Sequence, residues 1–314
     1  MSGANNPIDN MTNAPLLSVI IPYYNEVEFL MESVQSLINQ EFKDFELLIL
    51  DDGSKINAEE LIKDLNDTRI KYIRKPNVGL ANNINRSLSS LKGKYVARLD
   101  QDDISTSDRF MRQLEIFKND PTIDCVFTGI KRFGSKKEWI QKKGALNQPF
   151  HKFEPFKDGC KVNSTMMVKK DVLIDLNGYR QEYYPSDDWD LELRMCQKYN
   201  IVILDDELVL YRFHESANTY KTFELMQDTR RWAEENYFLR ENNQGEISLE
   251  NHLENKSFMT KIRHYRKDKS KLHARLAGDN YLQKNMLSFY MQLIISFLYH
   301  PNTLFKRVLN MNKT

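Results

Sequence analysis

The sequence predicts an α/β fold with a Rossmann-like, doubly wound and mainly parallel sheet flanked by helices. Three observations carry that expectation. Short β-branched apolar runs alternate with helical patterns over residues 16–99. Several of these runs end abruptly in polar or acidic turns, and no internal repeat or low-complexity tract breaks the alternation.

Leu16 to Pro22 is a buried strand stopped by proline, and Tyr23-Tyr24-Asn25-Glu26 is a loop. From about Glu28 to Asn39 the pattern is an amphipathic helix with Phe29, Leu30, Val34, Leu37 and Ile38 on one face. Phe45 to Leu50 is a second strand, ending in Asp51-Asp52-Gly53-Ser54. A helix from Ala58 to Leu65 leads to a third strand, Ile70 to Ile73. Asn77-Val78-Gly79-Leu80 turns into a helix over Ala81 to Leu91, which Gly93 closes before a strand at Lys94 to Leu99. Ligands of such sheets sit beyond the carboxyl ends of the strands. Tyr24-Asn25, Asp51-Asp52 and Asp100-Asp102 all fall there, so three polar turns converge on one crevice.

Arg98-Leu99-Asp100-Gln101-Asp102-Asp103 holds three carboxylates within four residues. In extended chain Asp100 and Asp102 share a face, and they repel unless a cation lies beside them. A hard divalent cation, Mn²⁺ or Mg²⁺, suits such oxygen donors and bridges to substrate phosphates. A plainer reading of the spacing alone is loop and N-cap chemistry through Asp103 to Asp108.

Further along, Arg109 to Lys118 is a helix and Asp124 to Thr128 a strand, while Ile130 to Asp158 gives loops and short edge strands. Asn163 to Val168 is expected as a strand and Lys170 to Leu176 as a helix. Another helix starts at Pro185-Ser186-Asp187-Asp188-Trp189-Asp190 and runs to about Lys198. Ile201 to Leu204 and Leu208 to Arg212 are expected as two strands, with His214 in a turn after them. Thr222 to Arg240 is an amphipathic helix.

The chain has 314 residues, 41% hydrophobic and 28% charged, as in a globular protein. A formal net charge of +1 excludes a protein built to coat nucleic acid. Three scattered cysteines without zinc spacing point to a reducing compartment, and the polar segment Met1 to Pro15, a disordered lead without a secretory signal, points to the cytoplasm. Beyond Lys256 about a dozen Lys and Arg face two acidic residues. Within that region Met286 to Tyr299 is strongly apolar but shorter than the ~20 residues a spanning helix needs. With Lys284 and Lys306-Arg307 beside it, this basic, amphipathic end either lies on a membrane surface, peripheral at the inner face, or packs as a helix on the main domain.

Taken together, Ser18 to Glu26, Asp51-Asp52-Gly53-Ser54, Asp100-Gln101-Asp102-Asp103, Asp187-Asp188-Trp189 and Tyr211-Arg212-Phe213-His214 resemble family 2 glycosyltransferases with the GT-A fold. Gly93 to Ser105 is especially similar to bacterial members that build O-antigen and capsule. The resemblance spans Leu16 to Thr219 and implies a catalytic domain over 16–220, with a nucleotide-binding half (16–128) and an acceptor-binding half (129–220). A helical, basic extension follows over 221–314. Pro22, Tyr24 and Glu26 then resemble the loop that receives the nucleotide, and Asp52 the carboxylate that meets the base. Asp100 resembles the ribose- and sugar-side acid, with Arg98 beside it as a diphosphate contact. Asp102, with His214, resembles the Mn²⁺ or Mg²⁺ site of a DxD motif. Asp188 matches the general base, with Asp187 and Trp189 toward the acceptor. The helix start also allows plain capping by Asp187.

The resemblance implies an inverting transfer from a nucleotide-sugar, a UDP-sugar by virtue of Asp52, to a saccharide or lipid-linked saccharide acceptor. Two departures stand out: Ile84 replaces an Arg common before Asn85, and Asn163 replaces a common His. Two rivals share the fold, a sugar-nucleotide nucleotidyltransferase and a non-catalytic carbohydrate-binding protein. The first expects a Gly-rich basic phosphate loop, which Pro22-Tyr23-Tyr24-Asn25 is not.

Overall fold

The structure, a computed structural model, describes residues 14–133, 149–212, 222–282 and 284–301. Its nucleus is four parallel strands in the order β3 (Ile70–Arg74), β2 (Phe45–Asp51), β1 (Leu17–Tyr23) and β4 (Tyr95–Arg98). Every residue of β1, β2 and β4 is buried, as expected of strands covered on both faces. Alternate side chains feed two cores. Leu17, Val19 and Ile21 meet Leu30, Val34 and Leu37 of α1 (Val27–Ile38) on one face. Ile20, Leu48 and Leu50 meet Ala81, Ile84 and Leu88 of α3 (Leu80–Leu88) on the other, the short α2 (Glu59–Lys63) having crossed between β2 and β3.

Beyond β4 the strand directions mix. β5 (Ile104–Ser105) and α4 (Arg109–Asn119) lead to the long β6 (Cys125–Phe133), and then come the edge strand β7 (Phe150–Lys152) and the single turn α5 (Pro155–Asp158). β8 (Met167–Lys169) lies antiparallel between β4 and β6, followed by α6 (Lys170–Asp175) and α7 (Asp187–Cys196). β9 (Ile201–Arg212) runs parallel to β6 and antiparallel to β5 and β7. The antiparallel ladders are short and the parallel ones long, so the sheet is mainly parallel as expected.

Two expected elements take a different form. Asn163–Thr165 is a turn of 3₁₀ helix, and only Met167–Lys169 is strand. The polar side chains there bond locally instead of joining a ladder: Thr165 Oγ1 donates to the Val162 carbonyl at 2.7 Å, and Ser164 donates to Asp103. The two strands expected between Ile201 and Arg212 are one bent strand, whose register with β6 slips around Gly129. A Cβ at Gly129 would sit 3.0 Å from the carbonyl oxygens of Asp205 and Asp206, so the bulge needs glycine.

At the C-terminal end α8 (Phe223–Glu241) packs on α7, and α9 (Leu249–Glu254) follows. α10 (Phe258–Leu282) and α11 (Met286–Tyr299) form a hairpin. α10 escapes a periodicity reading because basic residues are scattered around its circumference. α11 spans the apolar run expected to be helical, but its partner is α10: the Ser270 and Ser296 hydroxyls meet at 3.1 Å and His273 stacks on Tyr299. Among the described residues no helix is long and apolar enough to cross a membrane.

Where parallel order gives way to antiparallel, α4 drives polar side chains into the sheet. Gln113 Nε2 donates to the carbonyls of Val126 (2.8 Å) and Thr165 (2.9 Å), and its Oε1 accepts from Arg109 Nε (2.9 Å). Arg109 in turn donates to the carbonyls of Arg98 and Met166, both at 3.1 Å. Burial lowers the Arg109 guanidinium to about 9, against the pull of Asp103. Gln113→Ala leaves two buried carbonyls without a donor, so urea denaturation is expected to show a loss of roughly 2–4 kcal/mol.

Candidate active site

The carboxyl ends of β1, β2 and β4 meet in one place. After β2, Asp51 is fully buried and accepts from Tyr72 Oη (2.6 Å) and Ser54 N (2.8 Å). Asp52 accepts from the Val78 and Gly79 N–H groups, one on each carboxylate oxygen at 3.0 Å, with Arg86 at 3.4 Å. Asp52 thus fixes the turn that opens α3; its Oδ1 is taken by Val78 N and Arg86, while Oδ2, bonded to Gly79 N, keeps a further lone pair for a donor. Gly53, at φ 74°, lets the chain pass so close that a Cβ there would lie 2.9 Å from Asn77 N.

The acidic loop after β4 is stitched to its surroundings at every residue. Asp100 N donates to Ser164 Oγ at 2.9 Å, and the same hydroxyl donates to Asp103. Ser33 Oγ, on α1, bonds the carbonyls of Gln101 (2.7 Å) and Asp103 (2.6 Å). The Gln101 side chain reaches the β1 loop, accepting from Tyr24 N at 2.8 Å and donating to Glu26 at 3.3 Å. Asp103 accepts from Arg212 N at 3.0 Å, and Arg212 Nε donates to the Asp102 carbonyl at 2.8 Å. Asp102 has a partly exposed side chain on this tightly held backbone.

Crowding of like charge shows in the carboxyl groups. Burial raises Asp100, with Asp102 adding to it and Arg98 working against it. Burial also raises Asp103 well above the ordinary range, and Asp102 and Asp100 add to that. Oxygen donors in such a field suit a hard cation. Among the described residues no three His, Cys, Asp or Glu side chains are grouped to hold a metal by themselves, so a cation at Asp102 would need ligands from a diphosphate or water. His214, expected in the same shell, lies outside the described residues.

Arg98 connects the two sides of the site. Its Nε bonds Asp100 at 2.8 Å, its guanidinium lies 5.5 Å from the centre of the Tyr179 ring, and its Nη1 is buried without a partner. Burial opposes its charge, yet Asp100, Tyr179 and Asp187 together carry its pKa upward. Asp187, at the start of α7, is buried with Oδ2 unpartnered. Burial first and Asp188 second push it up to about 7, against Arg98. Asp188 is raised as well, chiefly by burial, although it accepts from Trp189 N at 2.7 Å. The hydrogen bonding is therefore the reverse of plain capping by Asp187: Asp188 binds the helix N–H, and Asp187 keeps an open oxygen.

The expected site residues Tyr24, Glu26, Asp52, Arg98, Asp100, Asp102, Asp187 and Asp188 line or support this crevice. Three expectations are corrected by burial. Pro22 is buried within β1 opposite Leu50, so it shapes the strand end and presents no contact surface. Arg98 is enclosed by Asp100 and Tyr179, its side chain only 4% exposed, and does not face a diphosphate. Trp189 is 1% exposed, covered by Arg230 and bonded through Nε1 to Glu234 at 3.2 Å, so its ring has no face open to an acceptor sugar. Sequence reasoning missed Ser33, Gln101, Ser164 and Arg212 as supports. Their partners lie far away in the chain, and a lone hydroxyl or amide carries no local signal.

Comparison with known proteins follows this geometry. Residues 18–176 match the family profile described as "Glycosyl transferase family 2". An uncharacterized glycosyltransferase of Methanocaldococcus jannaschii is 32% identical over 219 residues, covering 65% of this chain and 73% of the relative. The O-antigen biosynthesis glycosyltransferase WbnJ of Escherichia coli is 30% identical over 212 residues, covering 64% and 81% respectively. Other relatives are longer, this chain spanning about a third of their length. The crystal structure of S. aureus TarS 1-349 in complex with UDP-GlcNAc aligns with a TM-score of 0.53 at 15% identity, over 88% of this chain and 89% of that one. That likeness shows the GT-A fold.

Because the folded Asp187 stands near 7 against an ordinary 3.8, its stabilising contribution is complete below its ordinary pKa and is lost as pH rises through about 7. Asp187→Asn removes that loss, and chemical denaturation above neutrality is expected to show a gain of roughly 1–3 kcal/mol. Unchanged stability of that variant above neutrality would show that Asp187 is not held above its ordinary range.

Proposed function

The chain belongs to glycosyl transferase family 2, and from that membership we propose an inverting transfer of one sugar from a UDP-sugar to a saccharide hydroxyl. The acceptor in this reading is a saccharide on a lipid diphosphate, and the product a surface polysaccharide of the O-antigen or capsule kind. Residues 16–128 take the nucleotide and residues 129–220 the acceptor. The observation that carries the proposal is the meeting of the strand-end acids Asp52, Asp100 and Asp102 with the Asp187–Asp188 pair, joined through Arg98. Two relatives lend support: TarS has been crystallised with UDP-GlcNAc, and WbnJ is named for O-antigen biosynthesis.

Each residue has a definite task in this scheme. Asp52, anchored by two backbone N–H groups, offers the remaining lone pair of Oδ2 to a base donor such as the uracil N–H. Tyr24 and Glu26 are set by Gln101 at the nucleotide end, and Asp100 takes a ribose or sugar hydroxyl. Asp102, together with His214, would hold Mn²⁺ or Mg²⁺ shared with the diphosphate. Such an ion supplies Lewis-acid neutralisation of the leaving group.

On the acceptor side Asp188 takes the proton of the attacking hydroxyl. A general base works best with a pKa close to the working pH, and burial lifts Asp188 in that direction. Attack opposite the departing diphosphate inverts the anomeric carbon without a covalent enzyme intermediate.

Isothermal titration with UDP tests the donor site. Binding is expected to require Mn²⁺ or Mg²⁺, and Asp102→Ala should abolish the metal dependence. Preference for GDP or dTDP would overturn the uridine assignment. Asp188→Asn is expected to keep UDP affinity while transfer falls by roughly 10²-fold or more. Normal transfer rates in that variant would place the base elsewhere.

A further inference from the structure

The α10–α11 hairpin turns an apolar face of α11 and several cations of α10 to solvent together. Leu287, Tyr290, Met291, Ile294 and Leu298 follow helical spacing along α11, and all are exposed, Leu287 at 83%. α11 contains no charged residue. At the start of α10, Phe258 and Met259 are 75% and 71% exposed. Lys261, Arg263, Arg266 and Lys267 stand exposed in the same turns of α10. The two acidic residues of the hairpin, Asp268 and Asp279, are buried, and Asp268 is held by Arg231 at 2.8 Å.

We propose that this face docks the protein flat on an anionic lipid surface, α11 lying in the interface and the α10 cations on the headgroups. The proposal names the docking partner of the lipid-linked reading above, although it stands on exposure and charge alone. A helix of 14 residues is about 21 Å long, too short to cross a bilayer but suited to lying in its plane. Charge decides between lipid and a second copy of the chain. A two-fold interface would bring Lys261, Arg263, Arg266 and Lys267 close to their own copies with no exposed acid of the hairpin to answer them, whereas anionic headgroups supply the missing charge.

Co-sedimentation of the full chain with vesicles tests this, using phosphatidylcholine alone and equal parts phosphatidylcholine and phosphatidylglycerol. The protein is expected to pellet with the mixed vesicles, poorly with neutral ones, and less as salt rises. The pair Arg263→Glu and Lys267→Glu should lower partition by roughly tenfold or more. The pair Leu287→Glu and Ile294→Glu should abolish it, with helix content by circular dichroism and UDP affinity unchanged. Failure to pellet on either vesicle overturns the proposal, as does equal, salt-insensitive binding to both. Light scattering that shows a dimer split by Leu287→Glu also overturns it, assigning the face to a second copy. UDP titration is read separately, so loss of the donor assignment leaves this result standing.

Discussion

Crowding of negative charge at the carboxyl end of β4 is the constraint that the rest of this structure answers. Asp100, Asp102 and Asp103 fall within one turn, and burial makes every unshared charge there expensive. The fold answers from several directions at once. Arg98 comes from the strand itself, Ser33 from α1, Ser164 from the 3₁₀ turn before β8, and Arg212 from the end of β9. Asp102 is left partly exposed on a backbone that cannot shift. A donor's diphosphate and its cation would therefore meet a preorganised site, with little reorganisation needed when charge develops.

The mixed sheet is what makes this convergence available. A purely parallel continuation would have kept each later strand end beside its own helix. Inserting β8 antiparallel between β4 and β6 brings the 163–165 turn against the acidic loop, and β9 then delivers Arg212 to it. Polar residues of α4, chiefly Arg109 and Gln113, cap the carbonyls left where direction changes. Interior guanidinium and amide groups here compensate a topological irregularity, and their hydrogen bonds are spent on backbone.

Much of the nucleotide-side architecture was legible in the sequence because its signals are local. Alternating apolar runs mark β1 to β4, and the acidic turns mark the crevice. The breaks in legibility have physical causes. Asn163 to Val168 has strand composition, yet its hydroxyls and amide bond to Asp103, Tyr179 and Val162, which favours a turn. Trp189 reads as an acceptor platform only until Arg230 and Glu234, more than forty residues away, cover it. Arg98 reads as a ligand contact by its position, but its enclosure depends on Tyr179 and Asp187. Such distant pairings leave no trace in a window of neighbouring residues.

The bond from Arg212 N to Asp103 joins residues 109 apart, and it closes the last strand of the sheet onto the acidic loop after β4. Contacts so distant in sequence form late, because a long loop must close before they can contribute. A nascent chain can therefore collapse around β1 to β4 well before β9 arrives. During that interval Asp103 lacks its donor from Arg212 N, and the Asp102 carbonyl lacks the Arg212 guanidinium. The last bonds that hold the acidic loop thus form at the end of folding, once the chain as far as Arg212 has been made. A half-built chain of this design carries the acidic sequence without its full set of supports, and the order in which its own contacts form sets when the loop is complete.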